Sequence, residues 1–594
     1  MRTARVVAVL VLVLAVRPFA PSFQASAALT CFGKTVTRSG SGTISGTAGN
    51  DVIYGSTGPD VINGLGGTDY ICARSGNDQI TTGTGNATID AGPDNDTVVL
   101  GPGTNTVQAG TGNDDVTGNT GADTLYGSDG DDHLRGESGA DYIQGNDGAD
   151  SISGNDGDDR LFGGNGDDKI TLGDGNDTAY GQAGSDSLYG QDGDDAIDAG
   201  TENDSVSAGA GNDLVKGGDG DDKLVAGLED DTVHGGNGND RLYGEGGTDQ
   251  LFGEAGDDFL SGNDGDDLEI GGEGDDTING GNGDDALGGP RYFNYVDGNP
   301  GADITNGEAG FDAIWVGSGV DTLSGGPDND FINGDYLTLD FVILTDAGDV
   351  ISGGDGNDAI NGGNSDNVID YSANTIDGGN GNDQIVGGSG HDVITGGNND
   401  DLIAAKSGND TVDGGFGDDS IDGGLGDDHL LGGDGTDAID GGSGTDTVDG
   451  QDGDDTVTGG GPADLGPDTV TGGSGNDSID GSGGDDHLSG GLGNDVITGY
   501  GGDDHIDGDD DNDNLDGGDG NDVVNGGTGD DTVHGGDGRD GVSGDDGTDH
   551  VLGDAGTDVL RGGDGSADVC DGGTNTDAFL GAYPAGCETV ISIP

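Results

Sequence analysis

Positive charge is nearly missing from this 594-residue chain, which sets 16 Lys and Arg against 119 Asp and Glu for a net charge of -103. A surface this acidic repels phosphate backbones, which excludes a nucleic-acid partner. An anionic membrane leaflet would repel it as well. Aromatic residues make up 4% of the chain and hydrophobic residues 29%. That is too little apolar material for the several packed cores a chain of this length would ordinarily contain. The composition borders on that of disordered chains. Long apolar runs are missing too. The longest, Val6 to Val16, has eleven residues, about half of what a membrane-crossing helix needs, so no membrane insertion is expected.

That run reads as an address. Two positive charges precede it in Met1 to Arg5, and Ala25-Ser26-Ala27 follows it. This is the layout of a cleaved secretory signal over 1–27, and it predicts a secreted, extracellular protein. Cysteine is absent from the whole middle of the chain. The four present are Cys31, Cys72, Cys570 and Cys587. An even number in an exported chain reads as disulfides. Three connectivities are possible; the local pairs Cys31–Cys72 and Cys570–Cys587, stapling the two ends, are the expected ones.

What the chain has instead is glycine, 138 residues of it, and aspartate, since only nine of the 119 acids are Glu. If the acid served only to keep the surface wet, Glu would do as well. So strong a preference for the shorter carboxylate places it in tight turns beside Gly. The two residue types are ordered by a nine-residue repeat, which runs without insertion from Thr37 to Gly288 as 28 units. GGNGDDKIT from Gly163 and GGDGDDKLV from Gly217 are typical copies. The fourth position is Gly in 25 of the 28 units (exceptions Asp94, Glu202 and Glu229), and the sixth is Asp in 25 (exceptions Gly42, Ala87 and Asn105). The eighth is Ile, Val or Leu in 26, broken by Ala179 and Glu269. The register resumes after breaks at 289–297, 334–343, 362–377 and 459–471, giving 54 units in all.

Six residues rich in Gly, Asn and Asp predict a turn, and the variable–aliphatic–variable triplet after them predicts a short strand with one inward side chain. Helix is excluded, because Gly costs about 1 kcal/mol per residue relative to Ala there. Turn and strand repeated in phase make a solenoid with two units to a coil, 27 coils in all. At about 4.8 Å per coil the rod would be about 130 Å long. One aliphatic side chain per unit cannot offset the backbone entropy of nine ordered residues, ~1–2 kcal/mol each. Stacked Asp columns also repel one another. The coil therefore requires a counter-charge, and carboxylate and carbonyl oxygens in flexible geometry suit a hard divalent cation, Ca²⁺ before Mg²⁺.

The unit Gly-Gly-x-Gly-x-Asp-x-aliphatic-x resembles the RTX, or hemolysin-type, calcium-binding nonapeptide, over about Thr37 to Arg561. The resemblance implies an all-β, right-handed parallel β-roll, elongated and with short interruptions, that holds many Ca²⁺ ions, about one per repeat. In that family the sixth-position Asp supplies side-chain oxygen and turn carbonyls supply most of the rest. Carried onto this chain, the metal ligands are Asp168, Asp222, Asp240, Asp276 and Asp285 in the first block. In the later blocks they are Asp358, Asp383, Asp392, Asp419, Asp428, Asp437, Asp446, Asp477, Asp495, Asp522, Asp531 and Asp540. Units without the carboxylate, around Ala87 and Asn105, are expected to be weak or empty. Roughly 50 ions would bring about +100 charges, close to cancelling the chain's own. Unlike many members, this chain shows an N-terminal signal, cysteines at both ends and no attached catalytic domain, an arrangement similar to secreted repeat-only proteins.

These readings divide the chain into a signal (1–27), an N-terminal roll with a stapled cap (28–288), an interrupted region (289–377), a C-terminal roll (378–561) and a second stapled cap (562–594). The interrupted region concentrates aromatics: Tyr292, Phe293, Tyr295, Trp315 and Tyr336 are candidates for binding a partner at the cell surface or in a matrix, and a local plug over the core is the simpler reading. No His is followed by Glu, and no GxSxG nucleophile elbow occurs, so no catalytic residues are assigned. The expected function is a secreted calcium-binding repeat protein with a structural or interaction role. The alternative is a calcium-dependent polysaccharide-acting enzyme with its site near 289–343.

Overall fold

A computed structural model describes residues 31–283, 373–461 and 463–564 continuously. Between 285 and 362, and from 567 to 591, it describes shorter pieces. The expected signal, 1–27, and Tyr292, Phe293, Tyr295 and Tyr336 lie outside the described residues. The chain is an all-strand parallel β-solenoid of about 26 turns, elongated, with no helix among the described residues.

Each strand pairs in parallel with the strand one coil earlier and one coil later. Arg160–Asn165 lies between Tyr142–Asp147 and Thr178–Ala183, with Leu161 opposite Ile143 and Ala179. Successive units alternate between two columns of strands, one of them a 30-stranded sheet. Alternation of side chains along a strand then sends the eighth-position residue inward on both sides. Ile143, Ile152, Leu161 and Ile170, from four consecutive units, are each at most 1% exposed. The apolar core is thus one aliphatic side chain thick on each side and runs the length of the rod. The ladder passes the interruptions, since Thr277 pairs with Ile304 and Val350 with Thr375.

The strands are longer than the pattern predicts. In the first block most run six residues, from the seventh position of one unit to the third of the next, as in Lys169–Asp174. Glycine at positions one and two does not end the strand, because it keeps its place in the ladder: Gly164 stays in register with Gln182, and Asn165 with Ala183. The second position turns the backbone to positive φ, +135° at Gly164. Only positions four to six form the turn, and even there hydrogen bonds between coils continue, the Gly166 N–H donating to the Ala183 carbonyl at 2.7 Å. Three-residue strands of the predicted kind do occur further on, as in Ser420–Asp422 and Ala438–Asp440.

On the outer faces, rings stack from coil to coil. Tyr126, Tyr142, Phe162 and Tyr180 form one ladder, with Phe162 and Tyr180 parallel at 5.0 Å. Trp315 sits on such a face, half-buried, its ring 5.7 Å from that of Phe331 on the next coil. The described part of the aromatic region is therefore ladder rather than plug.

Glu269 breaks the core column. It is fully buried between Leu251 and Leu287, and neither carboxyl oxygen has a hydrogen-bond partner of good geometry. Burial pushes its pKa well above the ordinary carboxylate value, and Asp285 and Asp267 add to the effect. A buried polar group without partners costs ~1–3 kcal/mol. Glu269→Leu is expected to recover an amount of that order and raise the melting temperature in saturating calcium; an unchanged or lower melting temperature contradicts this account of the core.

Candidate metal centre

The sixth-position aspartates form two columns, one down each edge of the flattened coil. All seventeen residues assigned from the sequence, Asp168 to Asp540, are at most 3% exposed. One oxygen of nearly every described column member faces the backbone of the coil before it: the Asp150 N–H donates to Asp168 Oδ1, and the Asp168 N–H to Asp186 Oδ1, both at 2.7 Å. The same bond recurs along the later block, for example from Asp419 to Asp437 at 2.8 Å.

The second oxygen is the informative one. Oδ2 of Asp168, Asp222, Asp240, Asp419, Asp446, Asp477, Asp522 and many others is buried with no hydrogen-bond donor. It lies against the first glycine of its own unit. A Cβ placed on Gly163 would be 2.2 Å from Asp168 Oδ2 and 2.8 Å from the Gly181 carbonyl oxygen. At Gly163 carboxylate and carbonyl oxygens converge on the volume a side chain would fill, whereas Leu172, Ala199, Ala208 and Ala226 hold the same first position in other units. Buried oxygens gathered without a donor are unstable unless a cation joins them.

The exceptions show what fits. At Asn105 the side-chain amide replaces the carboxylate, and its Nδ2 donates to the carbonyls of Gly101 and Gly103 and to Asp123 Oδ1, at 3.2, 3.3 and 2.9 Å. A positive hydrogen-bearing group thus sits among carbonyls of the second and fourth positions and a neighbouring carboxylate, the donors a hard cation would use. Asn374, hidden in the interruption at 362–377, repeats this, its Nδ2 donating to the Gly387 carbonyl at 3.1 Å. At the N-terminal end, Asp51 Oδ2 accepts from the Thr47 N–H at 2.6 Å and hydroxyl at 2.8 Å, and Asp60 Oδ2 accepts from the Ser56 N–H at 2.6 Å. Those two carboxylates are satisfied by protein alone. The remaining donor set is oxygen throughout and fits Ca²⁺, which would be held by the sixth-position carboxylates and turn carbonyls, neutralising the columns when bound.

Without a cation these acids give up their protons less readily than a free carboxylic acid does. Burial pushes Asp168 and Asp240 up to about 7 and Asp222 and Asp419 up to about 6, with neighbouring carboxylates adding to the shift. The fourth-position exceptions sharpen it. Asp94, Glu202, Glu229 and Asp511 each add a charge near the aspartate two residues on, and Asp96, Asp204, Asp231 and Asp513, buried first and crowded second, rise to about 8. Three of these acids, Asp94, Glu202 and Glu229, are gaps in the glycine column of the sequence, and their spacing of two from the sixth position is the signal of a crowded site.

Two outcomes are expected. A carboxyl whose pKa is raised on folding stabilises the metal-free coil below its ordinary pKa, and loses that effect as pH climbs through the raised value. In EGTA, therefore, far-UV circular dichroism should show more β structure at pH 5.5 than at pH 8, and identical spectra would contradict the raised values near 6 to 8. Gly163→Ala should press on the Asp168 carboxylate and shift it, lower calcium uptake at that site and cost about 1 kcal/mol. Gly246→Ala is the control, since nothing lies closer than 3.9 Å to its added Cβ. Equal thermal stability of the two variants in calcium would remove the role given to the first glycine.

The family match agrees with this geometry. The RTX calcium-binding nonapeptide repeat (4 copies) matches overlapping stretches that together cover residues 38–289, 292–332 and 344–578. Among solved structures, the chain is similar to a hyperactive, Ca²⁺-dependent, β-helical antifreeze protein from an Antarctic bacterium, at 18% identity over 67% of this chain and 84% of that one, with a TM-score of 0.14. A search of the curated proteins finds no match. With nearly every repeat accounted for and the carboxylate columns in place, this chain belongs to the family of RTX calcium-binding nonapeptide repeat proteins.

Proposed function

We propose that this protein is exported unfolded and becomes a rigid rod outside the cell when many calcium ions fill the two carboxylate columns. Its role on this reading is structural or interactive, at the cell surface or in a matrix, with no catalysis of its own. The observation that carries it is the pair of columns of buried carboxylates with one oxygen lacking a donor. Paired in sequence with an apolar core one residue thick per unit, they make the folded state depend on the ion more than on packing. The seventeen aspartates assigned from the sequence act as ligands, with the turn carbonyls beside them.

Export is supported by the charged, apolar and small-residue layout of 1–27 and by the two disulfides, which form and persist in oxidising surroundings. Cys31 is joined to Cys72 and Cys570 to Cys587, with Cα–Cα distances of 5.7 and 5.5 Å. Inside the cell, scarce free calcium leaves the columns charged and mutually repelling. Outside, sites of ~10⁻⁴–10⁻³ M affinity fill together, since each coil contacts only its neighbours and gains from their order.

The test is a calcium titration of the purified chain, followed by far-UV circular dichroism and small-angle scattering. A cooperative gain of β signal with extension into a rod is expected. An EGTA-stripped sample at pH 8 that is already as ordered as the loaded one refutes calcium-driven folding.

A further inference from the structure

The stretched unit 459–471 adds four residues, Pro462, Ala463, Asp464 and Leu465, between its third and fourth positions. Solvation alone would turn the acid outward and the leucine inward. The chain does the reverse: Leu465 is 82% exposed and Asp464 9%. A short turn sets this orientation, with the Asp464 N–H donating to the Gly461 carbonyl at 2.8 Å and the Gly466 N–H to Asp464 Oδ1 at 3.3 Å.

The buried acid arrives beside two members of one edge column. Asp446 and Asp468 are successive there, the Asp446 N–H donating to Asp468 Oδ1 at 2.8 Å, and they are 1% and 2% exposed. One carboxylate oxygen from each of Asp446, Asp464 and Asp468 lies within 4.8 Å of the other two. Oδ2 of all three lacks any hydrogen-bond partner. Two glycines leave room for them: a Cβ on Gly460 would be 2.5 Å from Asp464 Oδ2 and 2.6 Å from the Gly442 carbonyl oxygen, and one on Gly459 would be 2.8 Å from Asp468 Oδ2. Three buried carboxylate oxygens that share no donor are joined favourably by a cation placed between them.

We propose that Asp446, Asp464 and Asp468 form a separate three-carboxylate site for a hard cation, binding Ca²⁺ more tightly than the repeat sites do. Asp464 comes from outside the nonapeptide, so the site is not a copy of the others. The extra negative ligand and the turn that fixes it raise affinity, because ligand charge count and rigidity set the strength of calcium sites. The inference rests on the reading that calcium fills the columns, and the experiment separates the two.

Isothermal titration of the full chain with calcium, in chelator-buffered solutions, should resolve one ion per chain bound at a concentration about tenfold or more below the cooperative filling. Asp464→Asn should lose that early step and keep the cooperative one, whereas Asp485→Asn, at an exposed fifth position, should keep both. Crystals of the unaltered chain grown with one equivalent of Tb³⁺ give a measurement that needs no variant, the anomalous peak being expected between the three carboxylates. An early step that is absent from the unaltered chain or survives in Asp464→Asn, or a first Tb³⁺ elsewhere, overturns the site. Absence of the cooperative step, with the early one intact, counts against calcium-driven folding and leaves this site standing.

Discussion

Repulsion between buried carboxylates is the constraint on which the rest of this structure depends. Each coil places an aspartate directly over the one before it, hidden from water, with one oxygen bound to backbone and the other facing only oxygen. Water cannot relieve the charge and packing cannot repay it, because the core offers one aliphatic residue per unit. The repeat sequence follows from this. Glycine is common at the first position, where at Gly163 a carboxylate lies against its side-chain volume, and it recurs at the second and fourth, where the backbone runs close against the neighbouring coil at positive φ. Asp is preferred to Glu because the shorter side chain keeps its oxygens on the turn.

Much of this was legible from the chain alone. A period of nine that never slips over 252 residues fixes which residues face inward, which turn and which carry charge. The edge columns follow from two units per coil. The extent of the strands was not legible, because glycine-rich stretches carry no strand propensity and owe their pairing to identical neighbours stacked at the right height. Nor was the division of labour between the two carboxylate oxygens, which depends on an N–H one coil away.

The features that repetition hides are the ones that depart from it. Glu269 and Asn105 stand out in the sequence as gaps, but only the structure shows that one is unsatisfied and the other fully bonded. Asn374 was masked by a break in register, and Asp464 has no place in the register at all. Its inward aim depends on a local turn around Gly461 that no periodic pattern encodes.

The two ends of the rod are not equivalent. Near the N-terminus, Thr47 and Ser56 already satisfy the carboxylates of their coils, Ala87 removes another, and an amide occupies the place at Asn105, while the Cys31–Cys72 bond ties the first turns together. Those units ask little of the medium, although Asp78 and Asp96 among them keep an oxygen without a donor. The disulfide keeps the first turns close to one another when the metal is withdrawn, so that reassembly has a starting edge, much as a zip closes from its retained pin.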